Sequence, residues 1–374
     1  MSSTPLNELA TLGQSIWYDN IHRSLLQNGE LAQMIQEDSV TGLTSNPTIF
    51  EKAIAHSDVY DDQIQALLEQ APNMAPVSLY ESLAIRDIVD AADLMRPVYD
   101  RTNSADGYVS LEVSPTLAHD TEGSIEEARR LFSQVDRPNL MIKIPATPAG
   151  IPAIATLIGE GINVNVTLMF SLQHYEDVVN AYLTGLEKFD KQGGDVSKVS
   201  SVASFFISRV DTIFDKTLEV VNSEEALKLQ GKIGIANAKA AYHRFHEITA
   251  SKRFQSLAQK GARVQRLLWA STSTKNPEFR DVLYVEELLG ADTVNTLPPA
   301  TLLAFKDHGI AQIRLSENMD EALAVMDMLD PLGVDYQDLT NILQTDGVNS
   351  FAKSFKELLK ALETKRDTLS VGVA

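Results

Sequence analysis

The chain has 374 residues, with 32 Lys and Arg against 51 Asp and Glu, a net charge of −19 and no cysteine. An acidic chain without a Lys/Arg cluster excludes a basic stripe for nucleic acid and disfavours an anionic membrane surface. The absence of cysteine excludes disulfides, thiolate metal sites, iron–sulfur clusters and a cysteine nucleophile.

Met1-Ser2-Ser3-Thr4 and the residues after it lack the basic start and apolar core of a secretion signal. No apolar run approaches the ~20 residues that span a bilayer. A reducing cytoplasm is the expected location, and a monomer or homodimer the expected state. Length alone would allow two domains, but (β/α)8 barrels exceed that rule.

In chain order, short apolar runs fall at residues 15–19, 40–44, 108–113, 140–145, 164–168, 199–204, 264–270 and 292–297. Stretches with helical spacing lie between them, among them 79–94, 124–132, 173–189, 209–221 and 227–248. Repeated strand–helix alternation predicts a parallel sheet with crossover helices, and eight such units predict a closed α/β TIM barrel. One domain over residues 1–374 is expected, with an N-terminal helix, extra helices in long connections at 51–103 and 220–263, and a C-terminal helical extension. In that extension Phe351, Phe355, Leu358, Leu359 and Leu362 have the spacing of a packing face.

Successive strand residues face opposite sides of a sheet. Val109, Leu111 and Val113 share one face while Ser110 and Glu112 share the other. Lys143 points with Met141, opposite Leu140, Ile142 and Ile144. Asn163, Asn165 and Thr167 point together, opposite Val164, Val166 and Leu168. The apolar faces suit a helical layer, and the polar faces put chemistry towards the strands' C-terminal ends, where barrel active sites lie.

Lys143 is the sharpest signal, a lone cation within Leu-Met-Ile-Lys-Ile-Pro. Burial of an amine disfavours its charged form, and a neutral amine adds to a ketone to form a Schiff base. A structural ion pair is the competing reading. Glu112 and Asp19 end two other strands and suit proton transfer, or else cap the following helices. Thr167 and Asn165 suit a water or substrate hydroxyl, or internal barrel hydrogen bonds. Asn46, before a proline, suits a substrate hydroxyl or a turn. Ser204 and Arg209, where a strand passes into a helix, suit a phosphate; the alternative pairs Arg209 with Asp211 or Asp215. Ser271 and Lys275 end the next strand and add a second hydroxyl and cation.

Other motifs fail. His243 and His246 lie on a helix surface without a third ligand, so no metal is expected. There is no Walker loop, no Gly-x-Gly-x-x-Gly and no Gly-x-Ser-x-Gly. Gly193-Gly194 reads as a plain turn.

The segments around Asp19 (Trp-Tyr-Asp-Asn), Asn46 (Gly-Leu-Thr-Ser-Asn-Pro) and Glu112 (Val-Ser-Leu-Glu-Val) resemble those of the transaldolase family. So do Met-Ile-Lys-Ile-Pro-Ala-Thr around Lys143, Gly-Ile-Asn-Val-Asn-Val-Thr-Leu-Met-Phe-Ser around Thr167 and Ser-Phe-Phe-Ile-Ser-Arg around Arg209. They occur in the family's order and cover nearly all the predicted strands. The resemblance implies a cofactor-free Schiff-base mechanism in the non-oxidative pentose phosphate pathway. A dihydroxyacetone unit would pass between sugar phosphates, from sedoheptulose 7-phosphate and glyceraldehyde 3-phosphate to erythrose 4-phosphate and fructose 6-phosphate. Lys143 would attack the C2 ketone and Asp19 would take the C4 hydroxyl proton. Glu112 would move protons through a water held by Thr167. Asn46 and Asn165 would bind hydroxyls of the dihydroxyacetone unit, and Ser204 and Arg209 the phosphate.

The family often carries a second phosphate-binding arginine, where this chain has Ser271 to Lys275; lysine lacks the bidentate fork. A relative that releases free dihydroxyacetone tends to carry Tyr where this chain has Phe206, so Phe206 favours transfer. The competing functions are fructose 6-phosphate aldolase-like cleavage and a catalytically silent sugar-phosphate-binding barrel. A metal-dependent aldolase is disfavoured by the lack of histidine ligands.

Overall fold

A computed structural model describes residues 4–55 and 57–370. Met1 to Ser3, on which the expectation about a secretion signal partly rests, lie outside the described residues. The strands are β1 (Gln14–Tyr18), β2 (Val40–Leu43), β3 (Tyr108–Glu112), β4 (Leu140–Pro145), β5 (Val164–Met169), β6 (Ser201–Phe206), β7 (Arg266–Ala270) and β8 (Thr293–Leu297). All pair in parallel with their neighbours, and β8 closes on β1. This is the expected eight-stranded barrel, with every strand within two residues of its predicted bounds.

The alternation along the strands separates two apolar regions. Val109, Leu111, Leu140, Ile142, Ile144, Val164 and Val166 pack outward in one cluster with the surrounding helices. Trp17, Tyr108, Met141, Val202, Leu268 and Val294 belong to a second cluster within the barrel. Gly42 makes room for one of these side chains: a Cβ there would lie 2.5 Å from the Trp17 ring.

The alternation breaks at Leu168. Sequence spacing puts it outside with Val164 and Val166, but its φ of +61° turns the chain and the side chain joins the inner cluster. The β5–β6 register shifts between Val166 and Met169, at the same place. A leucine in the left-handed region is strained, and such outliers concentrate at functional sites.

The long connections are helical, as expected. Residues 51–103 hold most of the helix Pro47–Ala55, then Asp61–Gln70 and Pro76–Arg101. The helix read over 227–248 is split: Glu224–Leu227 ends early, and Ile233–Ala250 begins after a turn with Gly231 at φ +70°. The C-terminal helix runs from Tyr336 to Ser370, far beyond its predicted packing face. Among the described residues no helix is long and apolar enough to cross a membrane.

Candidate active site

Register sets the centre of the site. Glu112 lies beside Lys143 across β3 and β4, and Lys143 beside Asn165 across β4 and β5. All three are inward positions: Glu112 ends β3, Lys143 lies in the second half of β4, and Asn165 is the second residue of β5. Lys143 is 5% exposed, and its Nζ is 3.5 Å from Glu112 Oε2. The same amine donates to the Ser45 carbonyl at 3.1 Å. The ring of Phe351, from the C-terminal helix, has its centroid 6.0 Å from Nζ.

Asp19 follows β1, where its amide continues the ladder to Leu297 O at 2.9 Å. It accepts a 2.7 Å hydrogen bond from Thr44 Oγ1, which also meets Thr296 Oγ1 at 2.7 Å. Burial pushes the Asp19 carboxyl up, against the opposing pull of Lys143 and the Thr44 hydrogen bond. Burial likewise pushes Glu112 up, opposed by Lys143 and assisted by the negative charge of Asp19. Both carboxyls therefore feel Lys143, and each feels it from a different strand.

Glu112 Oε2 and Thr167 Oγ1 are buried without a hydrogen-bond partner among the described residues. Asn165 is fully buried and committed at both ends: it donates to Ser110 Oγ at 3.0 Å and accepts from Ser204 Oγ at 2.7 Å. Asn46 Oδ1 accepts from the Ile49 amide at 3.0 Å, so Asn46 both opens the helix Pro47–Ala55 and faces the mouth.

These groups sit in or under a cavity of about 640 Å³ at the barrel mouth. Nine of the eleven predicted site residues line it: Asp19, Asn46, Lys143, Thr167, Ser204, Phe206, Arg209, Ser271 and Lys275. Glu112 and Asn165 lie beside its lining, in contact with residues that form it.

Arg209 is the second residue of the helix Ser208–Val221 and lies over the Phe206 ring at 5.3 Å and the Phe351 ring at 6.0 Å. Burial pushes its guanidinium down. It has no ion pair among the described residues. Asp211 is instead bound by the Gly234 amide and Tyr284 hydroxyl at 2.6 and 2.7 Å, and Asp215 by the Gly231 amide at 2.8 Å. Ser271, at φ +57°, joins the Ser208 hydroxyl at 2.9 Å and accepts its amide at 3.1 Å, which ties the β7 end to the start of the Arg209 helix. Lys275 donates to Ser273 Oγ at 2.6 Å. Desolvation, then the positive charges of Arg209 and Lys52, push its amine down.

Sequence reasoning missed Lys52, Thr44, Ser45, Gln344 and Phe351. Thr44 and Ser45 stand within the segment quoted for Asn46 and could have been found there. Phe351 was read only as part of a packing face, and Lys52 and Gln344 carry no local signal. His243 and His246 take structural places, His243 within 3.6 Å of Glu247 and His246 edge-on to the Tyr242 ring at 4.4 Å. No metal-binding group of His, Asp and Glu occurs among the described residues.

Fold and site together define a (β/α)8 enzyme centred on a buried lysine between two carboxylates, with an unpaired arginine at its rim. The sequence matches the transaldolase/fructose-6-phosphate aldolase family over residues 16–362, and the chain belongs to that family. It is 47% identical to a transaldolase 2 of Nostoc punctiforme over 381 aligned positions, 99% of this chain and 100% of the relative. It is 49% identical to a transaldolase of Thermobifida fusca over 360 positions, 95% of this chain and 96% of the relative. A Trichodesmium erythraeum transaldolase is 46% identical over 377 positions, 98% of each chain.

Proposed function

We propose that the chain transfers a dihydroxyacetone unit between sugar phosphates through a Schiff base on Lys143. The observation that carries this reading is the buried Lys143 amine, 3.5 Å from Glu112 at the floor of the mouth. The near full-length similarity to transaldolases agrees with it.

The amine adds to the C2 ketone of the donor, and loss of water leaves an iminium that can accept an electron pair. Asp19 takes the C4 hydroxyl proton as the C3–C4 bond breaks. The aldose phosphate leaves, and the three-carbon unit stays on Lys143 as an enamine. The enamine attacks the aldehyde of an acceptor aldose phosphate, Asp19 returns the proton, and hydrolysis frees Lys143. Glu112 moves the protons for addition and dehydration. Its Oε2, 3.5 Å from the Lys143 amine but without a hydrogen-bond partner among the described residues, and the unbonded Thr167 hydroxyl are suited to hold the water that takes part.

Asn46 and Asn165 are assigned to the hydroxyls of the three-carbon unit; Ser204, expected at the phosphate, instead donates to Asn165 and is assigned with it. Arg209, Ser271 and Lys275 are assigned to the phosphate. Phe206 favours transfer over release, since a phenyl ring has no proton to give to the enamine carbon.

Fructose 6-phosphate followed by borohydride should leave a sugar-derived adduct on Lys143, read by intact mass and peptide mapping, and Lys143→Ala should leave none. Adding erythrose 4-phosphate should then yield sedoheptulose 7-phosphate. An adduct with free dihydroxyacetone as the sole product would replace transfer by cleavage. Ligand binding without any adduct would sink the lysine mechanism.

A further inference from the structure

The mouth holds more positive charge than Arg209 and Lys275 supply. Lys52, in the last turn of the helix Pro47–Ala55, lines the same cavity. The three cations come from separate elements: the helix after β2, the helix after β6 and the segment after β7. None has a carboxylate partner among the described residues, and Lys275 has only the Ser273 hydroxyl.

Several cations elsewhere are paired with acids. Lys306 meets Asp38 at 2.7 Å, Lys365 meets Asp61 at 2.6 Å, and Arg253 meets Glu187 at 2.7 Å. In a chain with 51 acidic and 32 basic side chains, acids are available for pairing, yet these three line one cavity, where Lys275 feels the charges of both Arg209 and Lys52. Like charges at one rim repel when no ligand is present, and a multiply charged anion removes that repulsion. The segment after β7 offers a lysine, a point charge that cannot grip two oxygens in a planar fork. Lys52 adds a second ammonium to this lining from a different element.

We propose that Lys52 is the third cation of the phosphate site and sets how strongly the enzyme prefers phosphorylated ketoses over their unphosphorylated counterparts. The inference rests on the reading of this mouth as a sugar-phosphate site. Lys52 acts on the ester end of the substrate, not at the reacting carbons, so its contribution lies in binding.

The test compares native enzyme with Lys52→Met, Lys52→Arg and Arg209→Met. It measures inhibition by inorganic phosphate, KM for fructose 6-phosphate, and the fructose concentration that half-saturates borohydride trapping. Lys52→Met should raise the phosphate Ki and the fructose 6-phosphate KM about fivefold to tenfold, the worth of one rim charge on an anion. The half-saturating fructose concentration should not change. Lys52→Arg should recover most of the loss, and the difference should shrink as salt rises, because the contact is screened.

A phosphate Ki that is unchanged in Lys52→Met but raised in Arg209→Met overturns the role of Lys52 and leaves the phosphate site standing. If neither variant moves Ki, the phosphate reading falls as well. Equal weakening of fructose and fructose 6-phosphate would make Lys52 a structural residue and overturn the proposal.

Discussion

Asp19 and Glu112 both stand near a lysine, yet burial holds both carboxyls above the ordinary range. The balance decides the pH behaviour. In the proposed reaction Asp19 must be ionised to take the C4 hydroxyl proton, so a raised pKa moves the loss of activity on acidification to higher pH than an ordinary carboxylate gives. The acid limb of kcat should therefore lie above pH ~4, the usual aspartate value. Asp19→Asn should lower kcat about 10²- to 10⁴-fold, the usual worth of a positioned base. The same variant should still form the borohydride adduct, because Schiff-base formation precedes its step. Loss of the adduct in Asp19→Asn, seen by intact mass, would place Asp19 in the earlier chemistry. At this scale the site was legible: a Lys, a Glu and an Asp on the polar faces of strands are the types that Schiff-base chemistry requires. The Asn165–Ser204 bond was not legible, because it joins side chains 39 residues apart on neighbouring strands.

The C-terminal helix Tyr336–Ser370 organises the mouth as an element. Gln344 donates through one amide nitrogen to Ala146 O at 2.9 Å and Leu168 O at 3.1 Å. Those carbonyls follow Lys143 by three residues and Thr167 by one, so a single side chain secures the ends of β4 and β5. It also holds the kink at Leu168. A Cβ at Gly347 would meet Leu168 Cδ2 at 2.8 Å, so a glycine allows the helix to sit this close. Gln344→Ala leaves two carbonyls without their donor, a loss of about 1–3 kcal/mol in stability. It should also lower kcat more than it changes KM, because Thr167 and Lys143 lose their alignment, and Gln344→Asn should not recover the loss with its shorter reach. An unaltered kcat at a reduced melting temperature would confine Gln344 to structure. Helical spacing at Phe351 to Leu362 announced a packed helix, with Leu358 and Leu362 fully buried. It could not announce that the helix crosses the mouth, since an amphipathic face does not name its partner.

For the whole molecule, the net charge of −19 makes buried acids matter. Asp211 is 2% exposed and has hydrogen-bond donors but no cationic partner among the described residues, and burial pushes its carboxyl up to about 6 from 3.8. The folded state thus holds this proton more tightly than the unfolded chain. Stability from this group is fully present below the unfolded value and is lost as pH rises through about 6. The loss is about 3 kcal/mol. Asp211→Asn keeps an acceptor for the Gly234 amide and carries no charge. Its melting temperature should gain on the native chain between pH 4 and pH 7.5; a difference that stays constant across that range would refute the assignment.

Sequence by itself determined the eight strands, the inward and outward faces of β3, β4 and β5 up to Leu168, and the lysine and carboxylates proposed to carry the chemistry. Period-two alternation and residue type are local properties, written wherever a strand has one apolar side. Tertiary structure alone decided which distant groups come together: Gln344 on the ends of β4 and β5, Phe351 beside Lys143, and Lys52 in one cavity lining with Arg209 and Lys275. A lysine in the last turn of a helix reads as a solvated residue whether it faces water or an anion site. Only closure of the barrel, which sets the helix after β2 and the segments after β6 and β7 around one mouth, tells the two apart.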